Sequence, residues 1–400
     1  MITDIIIFIL IALLGVGMPY FFGAQIPDKH KTMLNRLWFF HLLISLYYCF
    51  FILGDAIGYW RVAKTMNYEQ FLLNLYQAKG TNFIYSLNYF PAKVLNLSYL
   101  SGTLIYSLIG FTGILFFYLM ALKIIPYNSK FKGYKLFPLV LFMPNLHFWS
   151  SAVGKDTILF FCIGLFIYAL LNLARRWPLL LLSVFLAYLV RPHIVLFLTI
   201  SFGLAYLVDG KLSGARRIVL ALILLGVGLA ILPTVMEYAK IEEASIDSFS
   251  NFSENKAQLL SRKHSGSAIE LSSYPFLLKI FTFLYRPFFF DIRGIPAVIA
   301  SLENLGLLLL SIAAFRHKPI ATFKAAPFII KGMLFFLVIG TLAFSESLGN
   351  VGIMIRMRNM FLPGMLLYIL WSFSYRGAYM MRKKKKMKIR QEEALTEILP

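Results

Sequence analysis

Long apolar runs separated by short clusters of charge organise this chain, and neither the two-residue alternation of a half-buried strand nor the polar face of a soluble helix recurs along it. The first run, MITDIIIFILIALLGVGMPYFF, has no basic leader and no small-residue cleavage site, so it predicts a retained first helix. Further runs lie near Leu37 to Leu53, Tyr99 to Leu122, Leu136 to Trp149, Thr157 to Leu173, Leu179 to Val190 and Ile194 to Val208. Four more follow near Ile218 to Val235, Ile295 to Phe315, Phe328 to Phe344 and Phe361 to Phe373. A helix crossing a bilayer core about 30 Å thick needs roughly 20 apolar residues, so the pattern predicts an all-α polytopic integral membrane protein with about eleven transmembrane helices. The pattern sets residues 1–375 apart as a transmembrane domain and 376–400 as a basic tail. Two outer loops, 55–96 and 237–290, are long enough for structure of their own; the first mixes aromatic and polar residues as an interfacial helix does.

Composition agrees with this pattern. Hydrophobic residues make up 59% and charged residues 14%, with a mean hydropathy of +0.74, which does not fit a water-exposed surface. The net charge of +21 raises the question of nucleic acid, but the Lys and Arg sit in short clusters between apolar runs and form no continuous basic face. Membrane topology accounts for them instead. One set of alternate connections, with the tail, holds 24 of the 39 basic residues and five acids, a net of +19, against +2 for the other side. The positive-inside rule then places the N-terminus outside and the C-terminus in the cytoplasm. The tail RKKKKMKIR reads as a stop-transfer anchor attracted to anionic lipid headgroups. No internal repeat is visible, which weighs against a transporter. Cys49 and Cys162 lie inside apolar runs, and His147 has no ligand-type neighbour at helical spacing, so no metal or other cofactor is expected; a divalent cation is not indicated.

With this orientation, Asp55, Lys155, Asp156, Arg191, His193, Arg286, Asp291, Arg293, Glu346, Arg356 and Arg358 all fall at outer helix ends. Each such charge is costly near the hydrocarbon slab, so their gathering on one side predicts an outward-facing polar site. In GDAIGYW, Asp55 and Tyr59 share a helix face, and two readings are open for Asp55: a helix N-cap, or a base that accepts a proton from a hydroxyl. In GKD, Lys155 and Asp156 open a helix as neighbours that do not face each other, so each needs another partner, and Asp156 is a second candidate base. RPH places Arg191 and His193 at an outer turn, and YRPFFFDIRGIP supplies Arg286 and Arg293 in an aromatic setting. In SESLGNVGIMIRMRNMFLPG, Gly349 and Gly352 loosen the backbone beside Glu346, Arg356 and Arg358. Guanidinium forks suit phosphate oxygens, but arginines at i and i+2 reach one ligand only if the segment is partly extended.

These motifs resemble a known group. GDAIGYW resembles the catalytic loop of membrane-embedded glycosyltransferases of the GT-C superfamily, while GKD, RPH and GNVGIMIRMRNMFLP look like bacterial O-antigen polymerase and EpsG-like proteins. The chain departs from the GT-C pattern in having one acid in DAIGYW and one more helix ahead of it. The resemblance implies a bacterial inner-membrane enzyme with a GT-C-like fold, a polyprenyl-phosphate-linked sugar donor and a glycan or lipid-linked glycan acceptor. It makes Asp55 the catalytic acid position and Arg356 or Arg358 the cationic site for the lipid phosphate. From the residues alone, Arg191, Arg286, Arg293 and Lys155 are further phosphate candidates, and Tyr59, His193 and Glu346 are positioning candidates. Rival readings are a flippase or transporter of lipid-linked glycan, which would carry charge through the inner half as well, and a structural subunit of an export complex.

The topology has a direct test. Cysteines placed at Ser250 and at Ala394 should report opposite sides of the membrane to an impermeant label; labelling of both would overturn the orientation and the choice of site residues with it.

Overall fold

An apolar segment in a bilayer must satisfy its own backbone N–H and C=O groups, and the apolar runs accordingly fold as helices. The structure is a computed structural model that describes residues 2–128, 130–209, 213–239, 253–260, 268–292 and 294–398. Its helices are α1 Ile2–Phe21, α2 Asp28–Phe51, α3 Asp55–Thr65, α4 Tyr68–Tyr76, α5 Thr81–Tyr89, α6 Tyr99–Ile124, α7 Leu136–Leu139, α8 Pro144–Phe148, α9 Lys155–Leu170, α10 Leu173–Val190, α11 Pro192–Val208 and α12 Gly214–Ala239. After these come α13 at 253–260, α14 Phe276–Tyr285, α15 Ile295–Phe315, α16 Pro319–Ala325, α17 Phe328–Ser345, α18 Val351–Arg358 and α19 Leu362–Ile398. Ser250 and Arg293 lie outside the described residues.

Among the described residues, seven helices are long and apolar enough to cross a membrane: α1, α2, α6, α10, α12, α15 and α17. The count is eight if α18 and the first part of α19, bent by 60° at their junction, form one span. The protein is therefore an all-α polytopic membrane protein. The run from Leu136 to Trp149 is not the single helix its hydropathy predicts. Phe137, which precedes Pro138, is non-helical, Val140–Phe142 is a 3₁₀ turn, and Pro144 restarts the chain as α8. A proline disfavours the α conformation in the residue before it and removes a donor, so a run with two prolines breaks where a simple count of apolar residues sees continuity. The broken segment still travels beside α2: Phe137 packs on His30 and Tyr118, and Phe148 packs on Tyr48.

That return passage lets α6 and α9 run in the same direction, in contact along their lengths. Gly110 approaches the Ser150 carbonyl, Phe117 meets Phe160, and Phe116 stacks on Tyr168. Most of α6 is buried, whereas α1 and α12 keep most of their apolar surface on the outside of the bundle. One end of the bundle collects Lys123 against the Leu171 carbonyl (2.9 Å), Arg176 against Gln25 (3.0 Å) and the buried pair Lys331–Asp209 (3.0 Å). The opposite end carries the residues 55–96 as α3, α4, α5 and a π-helical turn at Phe90–Val94. There Asn67 and Gln70 form a reciprocal capping box that starts α4, which leaves Leu72, Leu73 and Tyr76 exposed as an interfacial helix would.

The tight α6 contact is testable. A Cβ on Gly110 would lie 1.6 Å from the Ser150 carbonyl oxygen, whereas one on Gly17 meets nothing within 4 Å. Gly110→Ala should therefore cost about 1–3 kcal/mol, seen as a lowered thermal unfolding midpoint of detergent-solubilised protein, and Gly17→Ala should leave that midpoint unchanged or raise it.

Candidate functional site

The site is assembled where α2, α9, α11 and α18 reach the same end of the bundle. Asp55 is the first residue of α3, and the cap position falls to the extended Gly54 before it. The capping role is not taken. Instead, an Asp55 carboxylate oxygen accepts a hydrogen bond from Arg356 Nη1 at 2.7 Å. Gly154, with φ of +148°, sets the start of α9 in a conformation that side chains avoid, and a Cβ there would press on the Tyr59 ring at 3.1 Å. This turn delivers Lys155 and Asp156. Arg191 occupies the one extended residue between α10 and α11, where Pro192 opens the next helix, and it turns inward rather than toward lipid, 6% exposed.

Asp156 joins the elements together. One of its oxygens accepts from Arg191 Nη2 at 2.9 Å and the other from Arg356 Nε. Arg356 therefore bridges two carboxylates from distant parts of the sequence, Asp55 and Asp156. The two differ in availability: the Asp156 side chain is 10% exposed with both oxygens engaged, whereas the Asp55 side chain is 61% exposed. Asp156 is thus a holder of arginines, and Asp55 is the carboxylate open to a ligand.

Lys155 Nζ donates to Thr81 Oγ1 at 3.0 Å and lies 5.8 Å from the centre of the Tyr59 ring. Burial pushes the Tyr59 phenol up from its ordinary value, so it stays a neutral hydroxyl beside these charges. The second arm of Arg191 faces the thioether sulfurs of Met357 and Met360 at 3.1 and 3.4 Å, which are weak acceptors. Lys256 of α13 lies near Arg191 and His193. Lys155, Arg191 and Arg356 therefore meet Asp55 and Asp156, and these five side chains carry one positive charge in excess. Such an arrangement suits an anionic ligand.

Other predicted residues are placed elsewhere. Glu346 pairs with Lys279 at 2.6 Å. Arg286 binds Asp291 through Nε (3.0 Å) and Nη2 and also donates to the Tyr274 hydroxyl at 3.1 Å; the Asp291 bond strengthens its hold on its proton. His193 packs against the rings of Phe197 and Phe344 beside Arg191. Arg293 lies outside the described residues. Arg358 is 1% exposed and donates to the Leu284 carbonyl and to Asn304 Oδ1, the latter at 2.6 Å. The partly extended segment that would let Arg356 and Arg358 share a ligand does not form. Val351–Arg358 is a helix that includes Gly352, with Asn350 capping it through the Ile353 N–H at 3.1 Å, so the two arginines point apart.

Beside the cluster lies a mostly apolar cavity of 790 Å³, with Ile52, Trp149, Phe290, Ile299 and Ile355 in its wall and the Arg286–Asp291 pair at its lining. Sequence reasoning missed Glu303, a buried acid within α15 whose Oε2 accepts from the Asn145 backbone N–H at 2.8 Å. Its signal was there, a lone carboxylate in an apolar run. Thr81 and Lys256 gave no comparable signal. Among the described residues no group of three or more His, Cys, Asp or Glu side chains could hold a metal ion. Compared with known families, curated proteins and solved structures, the chain matches none.

The unequal burial of the two carboxylates has a measurable consequence. Asp156→Asn leaves two inward-turned arginines without their shared anion and should cost about 3–5 kcal/mol, whereas Asp55→Asn breaks an exposed pair worth about 0–1 kcal/mol. Thermal unfolding of the two variants in the same detergent should separate them clearly; equal midpoints would contradict the holding role of Asp156.

Proposed function

We propose that the chain is a membrane-embedded glycosyltransferase or polysaccharide polymerase that transfers a sugar from a polyprenyl-phosphate-linked donor on the extracytoplasmic side of a bacterial inner membrane. The observation that carries this reading is Arg356, which holds the exposed Asp55 beside a cluster with surplus positive charge. In this reading the fold is GT-C-like, and the broken segment 136–149, α9 and α11 also cross the bilayer. The chain then makes eleven passes, with its N-terminus outside and its tail in the cytoplasm.

The chemistry follows from the charges. An acceptor hydroxyl on a glycan or lipid-linked glycan gives its proton to Asp55 as its oxygen attacks the anomeric carbon. The bond from that carbon to the phosphate oxygen breaks, and the carrier phosphate leaves with the electron pair. Arg356, Arg191 and Lys155 stabilise the negative charge that grows there, and direct displacement inverts the anomeric centre. Arriving phosphate competes with Asp55 for Arg356, so donor binding frees the carboxylate to act as a base. Tyr59 orders the acceptor from the same helix face as Asp55. The apolar cavity beside the cluster suits the first isoprenoid units of the carrier. The flippase alternative draws support from Glu303 and the buried Lys331–Asp209 pair, which put charge deeper than the outer end.

Purified protein in nanodiscs separates the readings. Asp55→Asn should lower turnover of a polyprenyl-phosphate-linked sugar about 100-fold or more while donor binding persists, because general base catalysis contributes about 10² to 10⁴. Unimpaired transfer by this variant would remove Asp55 from the chemistry, and transport without any transfer in the wild type would favour the flippase.

Arg356→Lys keeps one charge but cannot span two carboxylates and a phosphate. It should weaken donor binding about tenfold to hundredfold, as the loss of a charged hydrogen bond worth about 1.5–3 kcal/mol implies. Arg358→Lys, by contrast, should act on folding yield, because its donors serve the buried Leu284 and Asn304 oxygens. An unchanged donor affinity in Arg356→Lys would move the phosphate away from this arginine.

A further inference from the structure

Two histidines meet inside the bundle, away from the charge cluster. His41 of α2 and His147 of α8 are both fully buried, and their Nδ1 atoms lie 3.0 Å apart. His41 Nε2 is 3.0 Å from the Ser107 carbonyl oxygen, and His147 Nε2 is 2.7 Å from the Leu141 carbonyl oxygen. The rings of Trp38, Phe40 and Phe111 surround the pair.

Counting hydrogens exposes the problem. A carbonyl oxygen only accepts, so each Nε2 needs a hydrogen to make its contact, and a neutral imidazole has one N–H. With both hydrogens on Nε2, two bare lone pairs face each other across the Nδ1 contact. Moving one hydrogen to Nδ1 repairs that contact but leaves a bare Nε2 against a carbonyl. Three contacts thus confront two hydrogens, and a third proton completes all three. A metal fits poorly, since two bonds of about 2.0–2.1 Å at a tetrahedral centre hold their nitrogens roughly 3.3 Å apart.

The structure assigns His41 and His147 the role of a proton-binding site: an imidazole–imidazolium pair of net charge +1, its extra proton shared between the two Nδ1 atoms. Hydronium supplies the proton and departs as water. Burial opposes the charge, and three charge-assisted contacts offset that opposition. Titratable groups on the packed elements have other associations: Tyr118 with His30, Tyr48 with the Arg356 cluster, Lys123 with the Leu171 carbonyl, and Glu303 with the Asn145 N–H. Tyr47, Cys49, Tyr99 and Tyr106 are further titratable groups on α2 and α6, and Asp28, Lys29, Lys31 and Arg36 lie in the first turns of α2. Glu303 is the carboxylate nearest in connection to the pair, since Asn145 stands two residues before His147. The same short helix places Asn145 in the cavity wall, next to Trp149, so the proton fastens that wall to α2 and α6.

Below about pH 6.5 the two histidines of the unfolded chain bind two protons and the folded pair binds one, so the pair's contribution to stability falls as pH drops below that value, and a pair that keeps its proton above it contributes less again as pH rises through the pair's own value. The test uses full-length protein with ¹⁵N-labelled histidine rings, in nanodiscs, followed by NMR from about pH 5 to 8, the range in which histidine titrates, with and without EDTA. Scalar coupling across an N–H···N bond, one proton lost for both rings in a single step, and indifference to EDTA are expected. His147→Phe should abolish the coupling; if that variant does not fold, the wild-type titration alone decides. Two neutral, uncoupled rings at the acid end of the range would overturn the proposal, and so would a signal that EDTA removes.

Discussion

One guanidinium holds this end of the molecule together. Arg356 reaches Asp55 at the start of α3 and Asp156 at the start of α9, and Asp156 in turn holds Arg191 between α10 and α11. Buried Asp156 and Arg191 would each be costly alone, and sharing the contacts offsets that cost. The arrangement also fixes the relative height of three helix starts, since an ion pair tolerates little sliding of one helix along another.

Hydropathy made the helices legible, because burial in lipid and helix formation follow from the same absence of charge. It failed at Leu136–Trp149, where Pro138 and Pro144 govern the backbone while the apolar composition stays unchanged. The alternation of charged connections between the two ends of the bundle made most of the cluster legible: Asp55, Tyr59, Lys155, Asp156, Arg191 and Arg356 share one end in three dimensions. Which charge pairs with which was not legible. Arg286 found a partner five residues away in Asp291, and Arg358 turned inward because helical geometry separates it from Arg356. Such choices depend on rotations and depths that a side-by-side reading of charge does not contain.

The broken segment between α7 and α8 matters beyond its irregular backbone. By returning through the bundle it allows α6 and α9 to lie parallel, and it carries both His147 and the cavity residues Asn145 and Trp149. Two prolines thus shape the helix packing, the interior histidine contact and one wall of the cavity at once.

The shared anion at Asp156 also bears on how this sequence can change over evolutionary time. Its partners lie 35 and 200 residues away, so a neutral replacement of Asp156 strands Arg191 and leaves Arg356 with Asp55 alone. Descendant sequences that lose Asp156 should therefore replace Arg191 in concert, and positions remote in the chain are bound to a common history.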